Sequence, residues 1–129
     1  EIIKEIRKNN LQDNVSILGY VNNTSPYLEH CDIFTLTSPL EGFGIVYLEA
    51  MLHQKPCISS KNCGSDDVVL NDKTGYSINI GDIDLLVSVI NKLATNKSHR
   101  LHLGNNGYKH LIKKFTYSKF KENQLNLLL

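Results

Sequence analysis

Apolar residues along the chain gather in short continuous runs, and between these runs they recur at helical spacing. Asp32-Ile33-Phe34-Thr35-Leu36-Thr37 is rich in β-branched and aromatic residues and nearly continuous in apolar character, the pattern of a strand buried on both faces of a parallel sheet. Ser38-Pro39 ends that run. Past the glycines that follow, Ile45, Leu48 and Leu52, with Val46 and Met51 beside them, fall at the spacings of a largely buried helix starting near Gly44 or Ile45. The unit reads as strand, glycine turn, helix.

The alternation extends over the rest of the chain. Glu1 to Asn10 reads as the tail of an amphipathic helix and Val15–Leu18 as a strand. After the central helix come a strand over Pro56–Ser60, a short helical turn at Asp66–Leu70 and a strand over Tyr76–Asn79. Helices are then predicted over Asp84–Leu93, Ser98 to about Lys114 and Ser118 to about Leu128. Strands alternating with helices predict an α/β fold with a Rossmann-like parallel sheet, and 129 residues make one domain.

The segment Glu41-Gly42-Phe43-Gly44-Ile45 through Glu49 carries the chemistry. A helix that starts there has free N–H groups and a partial positive charge at its first turn, which suits phosphate, and glycines let the backbone come close. Seven residues separate Glu41 in the loop from Glu49 about one turn inside the helix. Side chains lean toward a helix N-terminus, so Glu49 is expected to reach back toward the turn while Glu41 approaches from the other side. Carboxylates would repel phosphates they touched. Their natural partners are hydroxyl groups at either end of a diphosphate, and a nucleoside diphosphate sugar has a ribose at one end and a hexose at the other.

These residues resemble the E-x7-E motif in the C-terminal, donor-binding lobe of GT-B-type retaining glycosyltransferases, especially family 4, the glycosyl transferases group 1. Val15-Ser16-Ile17-Leu18-Gly19-Tyr20-Val21 is similar to the family's strand and glycine segment, and Cys31-Asp32-Ile33-Phe34 to its strand entry. Lys55-Pro56-Cys57-Ile58-Ser59-Ser60 resembles G-x-P-V-V-A-S, Thr74-Gly75-Tyr76-Ser77-Ile78 resembles T-G-x-L-V, and Phe115-Thr116-Tyr117 resembles F-S-W. Nearly the whole chain is covered, in order.

The resemblance implies roles. Glu41 would contact donor-sugar hydroxyls and is the nominated catalytic residue. Gly42, Phe43, Gly44 and Ile45 would bind sugar and pyrophosphate, Glu49 the ribose hydroxyls, and Gly19 and Tyr20 would lie near the base. Transfer with retention is assisted by the leaving diphosphate, so no enzymic base is nominated in this chain, and no metal or cofactor is expected. The acceptor, a saccharide or glycolipid in surface polysaccharide assembly, would belong to another lobe. The chain departs from the pattern at Cys63-Gly64-Ser65-Asp66-Asp67-Val68-Val69, which stands in the G-G-x-P-E-x-V segment with Cys63 for the first glycine, Asp66 for proline and Asp67 for glutamate. His53-Gln54-Lys55 likewise stands where an Ala-Cys-Gly-like turn is common.

Set against the family pattern, the sequence reads as an N-terminally incomplete lobe. It lacks the acceptor lobe and the first two strands of the donor lobe, which would carry an arginine and a lysine for the leaving diphosphate. Val15–Leu18 is then left with no neighbour beside the Ile33–Thr37 strand, and the piece by itself is expected to be marginal and inactive as a transferase.

Charge adds little. The balance is +1 with charges scattered, which excludes a nucleic-acid surface, and Lys113, Lys114, Lys119 and Lys121 make the C-terminal helices mildly basic. That leaves open a peripheral association with the inner face of a membrane, with cytoplasm as the default location. No apolar run has the length of a spanning helix. Cys31, Cys57 and Cys63 lack C-x-x-C spacing, so neither a disulfide framework nor a zinc site is indicated, and the first two read as small core residues.

Other motifs read as structure. Asp82-Ile83-Asp84 has the D-x-D form that holds a metal in a different transferase fold, but it follows Gly81 and opens a helix, where Asp caps free N–H groups. His99 and His102, three apart on a helix, read as exposed surface residues rather than metal ligands, and His53 as a helix end. Asp66-Asp67 has the form of a paired-carboxylate site but reads as a loop beside the nucleotide. Gly42-Phe43-Gly44 lacks the third glycine of a dinucleotide fingerprint. Two rivals to the leading reading remain: a non-catalytic nucleotide-binding fragment, and the lobe of a glycogen or sucrose synthase-like enzyme.

Overall fold

Three short runs pair as parallel strands in the computed structural model, which describes residues 1–61, 64–119 and 121. β1 is Phe34–Leu36, β2 Cys57–Ser60 and β3 Gly75–Ile78, in the order β1-β2-β3. Phe34 stands opposite Cys57 and Leu36 opposite Ser59, while Cys57 stands opposite Gly75 and Ser60 opposite Ile78. Five helices accompany them: α1 Ile2–Lys8, α2 Ser25–His30, α3 Ile45–Leu52, α4 Ile83–Thr95 and α5 Lys97–Lys114.

β2 is buried at every position, although only Cys57 and Ile58 of it are apolar and Ser59 and Ser60 are enclosed with their hydroxyls. Successive side chains leave opposite faces of a strand, so β2 feeds two cores. Cys57 packs with Leu28, Tyr47, Ala50, Met51, Val68 and Val69. Ile58 packs on the other face with Tyr76, Ile78, Val89, Leu93 and Leu103. The sheet is thus the middle layer, with α2 and α3 on one face and α4 on the other, while α5 runs from the second core at Leu103 to the first at Leu111 and Phe115. Truncating a fully buried side chain such as Leu93 to alanine removes about 2–5 kcal/mol in such an environment.

Local chemistry sets the helix starts. The Asp82 carboxylate accepts the Leu85 N–H at 3.0 Å ahead of α4, which is the capping role read from the sequence. Asn96 accepts the His99 N–H at 2.9 Å ahead of α5. α2, which the sequence reading did not anticipate, begins after Thr24 with Pro26 in its first turn, where a missing N–H costs nothing.

Three expectations need correction. Val15–Leu18 forms no strand: it carries no ladder pairing, and Val15, Ile17 and Leu18 are 41–55% exposed. A strand exists only when a neighbour takes its backbone groups, and this run meets none among the described residues. The Asp32–Thr37 run is not buried on both faces, since Thr35 in β1 is exposed; Asp66–Leu70, by contrast, closes the short turn expected of it, with the Val68 and Val69 N–H groups both donating to the Ser65 carbonyl. His99 is no free surface residue, since its Nε2 lies 2.8 Å from the Tyr76 hydroxyl in a half-buried contact. Of the helix expected over Ser118 to about Leu128, residues 117–119 are helical; most of the remainder, like Cys63, lies outside the described residues.

Candidate functional site

The carboxyl ends of β1 and β2 open on one side of the sheet, where ligands of open α/β sheets bind. The loop leaving β1 carries Glu41, Gly42, Phe43 and Gly44, and α3 follows at Ile45. Gly44 stands at the helix N-cap with φ 73° and ψ 56°, a left-handed conformation that glycine adopts without strain. A Cβ there would lie 2.5 Å from the Tyr47 ring, so both conformation and space demand glycine. No side chain caps α3 and no acidic residue lies in its first turn. The positive end of the helix is left to face a ligand.

Tyr47 holds this turn in place. It is 1% exposed, its ring meets Phe34 edge-on at 5.8 Å between centroids, and its hydroxyl donates to the Leu36 carbonyl at 2.7 Å. The loop after β2 closes the other side, where the Gly64 N–H donates to the Glu41 carbonyl at 3.1 Å. α5 holds both loops from behind. Phe115 packs edge-on against Phe43 at 5.6 Å, and His110 Nε2 donates to the Asp67 carbonyl at 3.0 Å. The Asp66 carboxylate accepts a hydrogen bond from the Ser77 hydroxyl, while Asp67 is held through its main-chain carbonyl.

Glu41 is half-buried, and its carboxylate has no hydrogen-bond partner among the described residues. Glu49 is exposed and turns to the start of α2, where its Oε2 accepts the Thr24 hydroxyl at 3.2 Å. That bond engages one carboxylate oxygen of Glu49. Thr24 and Glu49 line a cavity of about 250 Å³ with Asn23, Ser25 and His53, whose Nε2 is 2.9 Å from the Ser25 hydroxyl.

Gly19 has φ 67° and lines a second, largely apolar cavity of about 690 Å³ with Leu18, Thr24, Phe34 and Val46. That puts it within one cavity of the Thr24 that Glu49 binds. Tyr20 is 92% exposed and makes no hydrogen bond among the described residues. Thr24, Tyr47 and Gly64 were absent from the sequence-derived site. A helix start at Thr24-Ser25-Pro26 was the signal that could have found the first.

The remaining titratable groups lie away from this turn. Burial pushes the Cys57 thiol up to about 12, and it raises Cys31 less strongly because Lys55 opposes it. The neighbouring Tyr76, over whose ring the Lys92 ammonium lies 5.1 Å from the centroid, raises Lys92. Among the described residues no three His, Cys, Asp or Glu side chains converge, and no helix is long and apolar enough to cross a membrane.

The loop after β1 thus joins a left-handed glycine to the start of α3 at the carboxyl ends of the parallel strands. The chain belongs to the family described as glycosyl transferases group 1, whose sequence profile matches residues 1–110. It is 31% identical over 103 residues to the capsular polysaccharide biosynthesis glycosyltransferase CapM of Staphylococcus aureus, covering 80% of this chain and 27% of that protein. It superposes on a crystal structure of an S. aureus TarM variant in complex with fondaparinux, α-GlcNAc-glycerol and UDP, with a TM-score of 0.87 and 27% identity, over 98% of this chain and 26% of that one. The C-terminal domain of the group 1 glycosyltransferase LpcC from Francisella tularensis gives a TM-score of 0.81 at 20% identity, over 90% of this chain and 61% of that one. The chain thus spans about a quarter of the length of CapM, and its fold is that of the C-terminal lobe of GT-B glycosyltransferases.

Proposed function

We propose that this chain is the donor-binding lobe of a retaining, nucleotide-sugar-dependent glycosyltransferase of surface polysaccharide or glycolipid assembly, with UDP the first nucleotide to test. The observation that carries the reading is the start of α3, where an uncapped helix N-terminus behind left-handed Gly44 lies between Glu41 and Glu49. In this reading the first N–H groups of α3 receive the diphosphate and the Gly42-Phe43-Gly44 backbone lies against it. Glu41, whose carboxylate has no hydrogen-bond partner among the described residues, accepts hydroxyls of the sugar, and Glu49 accepts those of the ribose. Gly19 and Tyr20 flank the base. The chemistry runs without a metal, the diphosphate assisting its own departure while the acceptor is held by a lobe outside this chain.

Support for UDP comes from the TarM complex, whose chain at 27% identity is crystallised with that nucleotide. The same reading assigns the protein to the cytoplasm, where Lys113, Lys114 and Lys119 around one cleft at the end of α5 would suit an anionic membrane face. The test is calorimetric titration of the full-length protein with UDP, GDP and ADP, followed by donor turnover with the matching nucleotide-hexoses. Binding of one nucleoside diphosphate that inorganic phosphate competes away at high concentration is the expected result. Absence of binding by all three would overturn the reading.

A further inference from the structure

Gly64 meets the site loop main chain against main chain. Its N–H donates to the Glu41 carbonyl at 3.1 Å. A Cβ built on Gly64 would coincide with the Gly42 carbonyl oxygen and press on the Phe43 Cα at 3.2 Å. Gly42 itself has open space where its own Cβ would stand. The tightness between the two loops therefore belongs to Gly64 and not to Gly42. No positive φ is involved at Gly64, so alanine would be acceptable to its backbone and is refused only by the neighbouring loop. Gly64 is solvent-exposed, outside both cores, so little packing depends on it.

We propose that Gly64 is a positioning residue that sets the place of the Glu41 carboxylate by clasping the Glu41–Phe43 backbone from the loop after β2. The proposal rests on the reading of Glu41 as the group that contacts the donor sugar. The clasp acts at a different place from the neighbouring restraints on these residues: Gly44 is fixed under the Tyr47 ring and Phe43 leans on Phe115, while Glu41 is held at its carbonyl. A substituent on Gly64 must move residues 41–43 away from the β2 loop, and the carboxylate moves with them. Displacements of about 1 Å at a reacting centre cost up to about a hundredfold in rate. Glu49 is hydrogen-bonded to Thr24, and Gly64 to Glu41, with no hydrogen bond joining the two pairs among the described residues, so nucleotide binding should be spared.

The experiment uses the full-length protein in four forms: wild type, G64A, E41Q and the double variant. kcat and KM are measured with whichever of UDP-, GDP- and ADP-hexose the wild type turns over, and affinity is measured for the matching nucleoside diphosphate alone. G64A should lower kcat/KM by about 10- to 100-fold and leave the nucleotide affinity within about twofold. In the E41Q background the same substitution should cost little further, because two changes acting through one group are not additive. If E41Q alone is as active as wild type, the assigned role of Glu41 fails first. If E41Q is impaired and G64A is not, or if the two losses multiply, the clasp is overturned. Should G64A fail to fold, amide exchange of wild type decides: the exposed Gly64 N–H is protected if the clasp exists, and exchange as fast as a free loop amide refutes it.

Discussion

The Tyr47 hydroxyl, in the first turn of α3, reaches the Leu36 carbonyl at the end of β1 across 2.7 Å, so one buried side chain ties the start of the helix to the end of the strand. The same ring closes the space above Gly44. Tyr47→Phe removes the hydrogen bond while keeping the packing, and it should lower stability by about 1 kcal/mol. It should also weaken nucleotide binding several-fold, because the amide groups facing the phosphate lose their anchor. Denaturant unfolding and calorimetry on the same variant check both effects. Unchanged values in both would mean that the strand end and the glycine turn hold the helix without Tyr47.

Asp82 acts on a different helix. Its carboxylate is engaged by the Leu85 N–H, and Asp84 sits in the first turn of α4, where a negative charge opposes the helix dipole. Asp82→Ala should therefore cost about 1 kcal/mol of stability, with no change in the response of donor turnover to EDTA. The proposed metal-free chemistry further requires that wild-type turnover survive the chelator. Loss of activity in EDTA that manganese restores would refute it.

The places of the paired strands were legible in the sequence from their short β-branched and apolar runs, but their burial was not: the Asp32–Thr37 run leaves Thr35 exposed in β1, while β2 encloses Ser59 and Ser60. Helix starts with a side-chain signal were legible for the same local reason, as Asp82 shows. Val15–Leu18 has the composition of a strand, yet strand formation depends on a partner that the run itself does not contain. The glycine turn and its two carboxylates stood out by spacing. What spacing could not show is which groups they meet. Glu49 meets Thr24 from 25 residues away, and Glu41 is held by Gly64 through a main-chain bond that no side-chain pattern encodes.

Cys57 offers a test of the core that does not depend on function. It is fully buried between β2 and α3, and burial pushes its thiol up to about 12. The folded protein should therefore leave Cys57 unmodified by a thiol reagent at pH 8, while the half-buried Cys31 reacts faster. The sign for stability follows. A thiol that stays protonated when folded but ionises near 9.0 when unfolded favours the unfolded chain as pH rises from about 9 to about 12, by up to about 1.4 kcal/mol per pH unit. Peptide mapping by mass spectrometry identifies which cysteine is labelled. Rapid labelling of Cys57 in native buffer would mean that the sheet opens far more often than this packing allows.

Glu49 and Thr24 make a sharper test of the nucleotide end. Thr24 occupies one oxygen of the Glu49 carboxylate, leaving the other available for a ligand hydroxyl. Glu49→Ala removes the charge-assisted contact assigned to the ribose and should weaken nucleoside diphosphate binding by about 1.5–3 kcal/mol. Thr24→Val should weaken it less, because the carboxylate persists and loses only its orienting donor. Both side chains sit at the surface, so neither change should move the melting temperature enough to confuse the result. A 2′-deoxynucleotide separates ribose recognition from general loss: it should bind wild type more weakly than the ribonucleotide does, and that difference should vanish in Glu49→Ala. If the alanine variant still prefers the ribonucleotide to the same degree, Glu49 is not the ribose ligand and the orientation assigned to the donor along α3 must be reversed or abandoned.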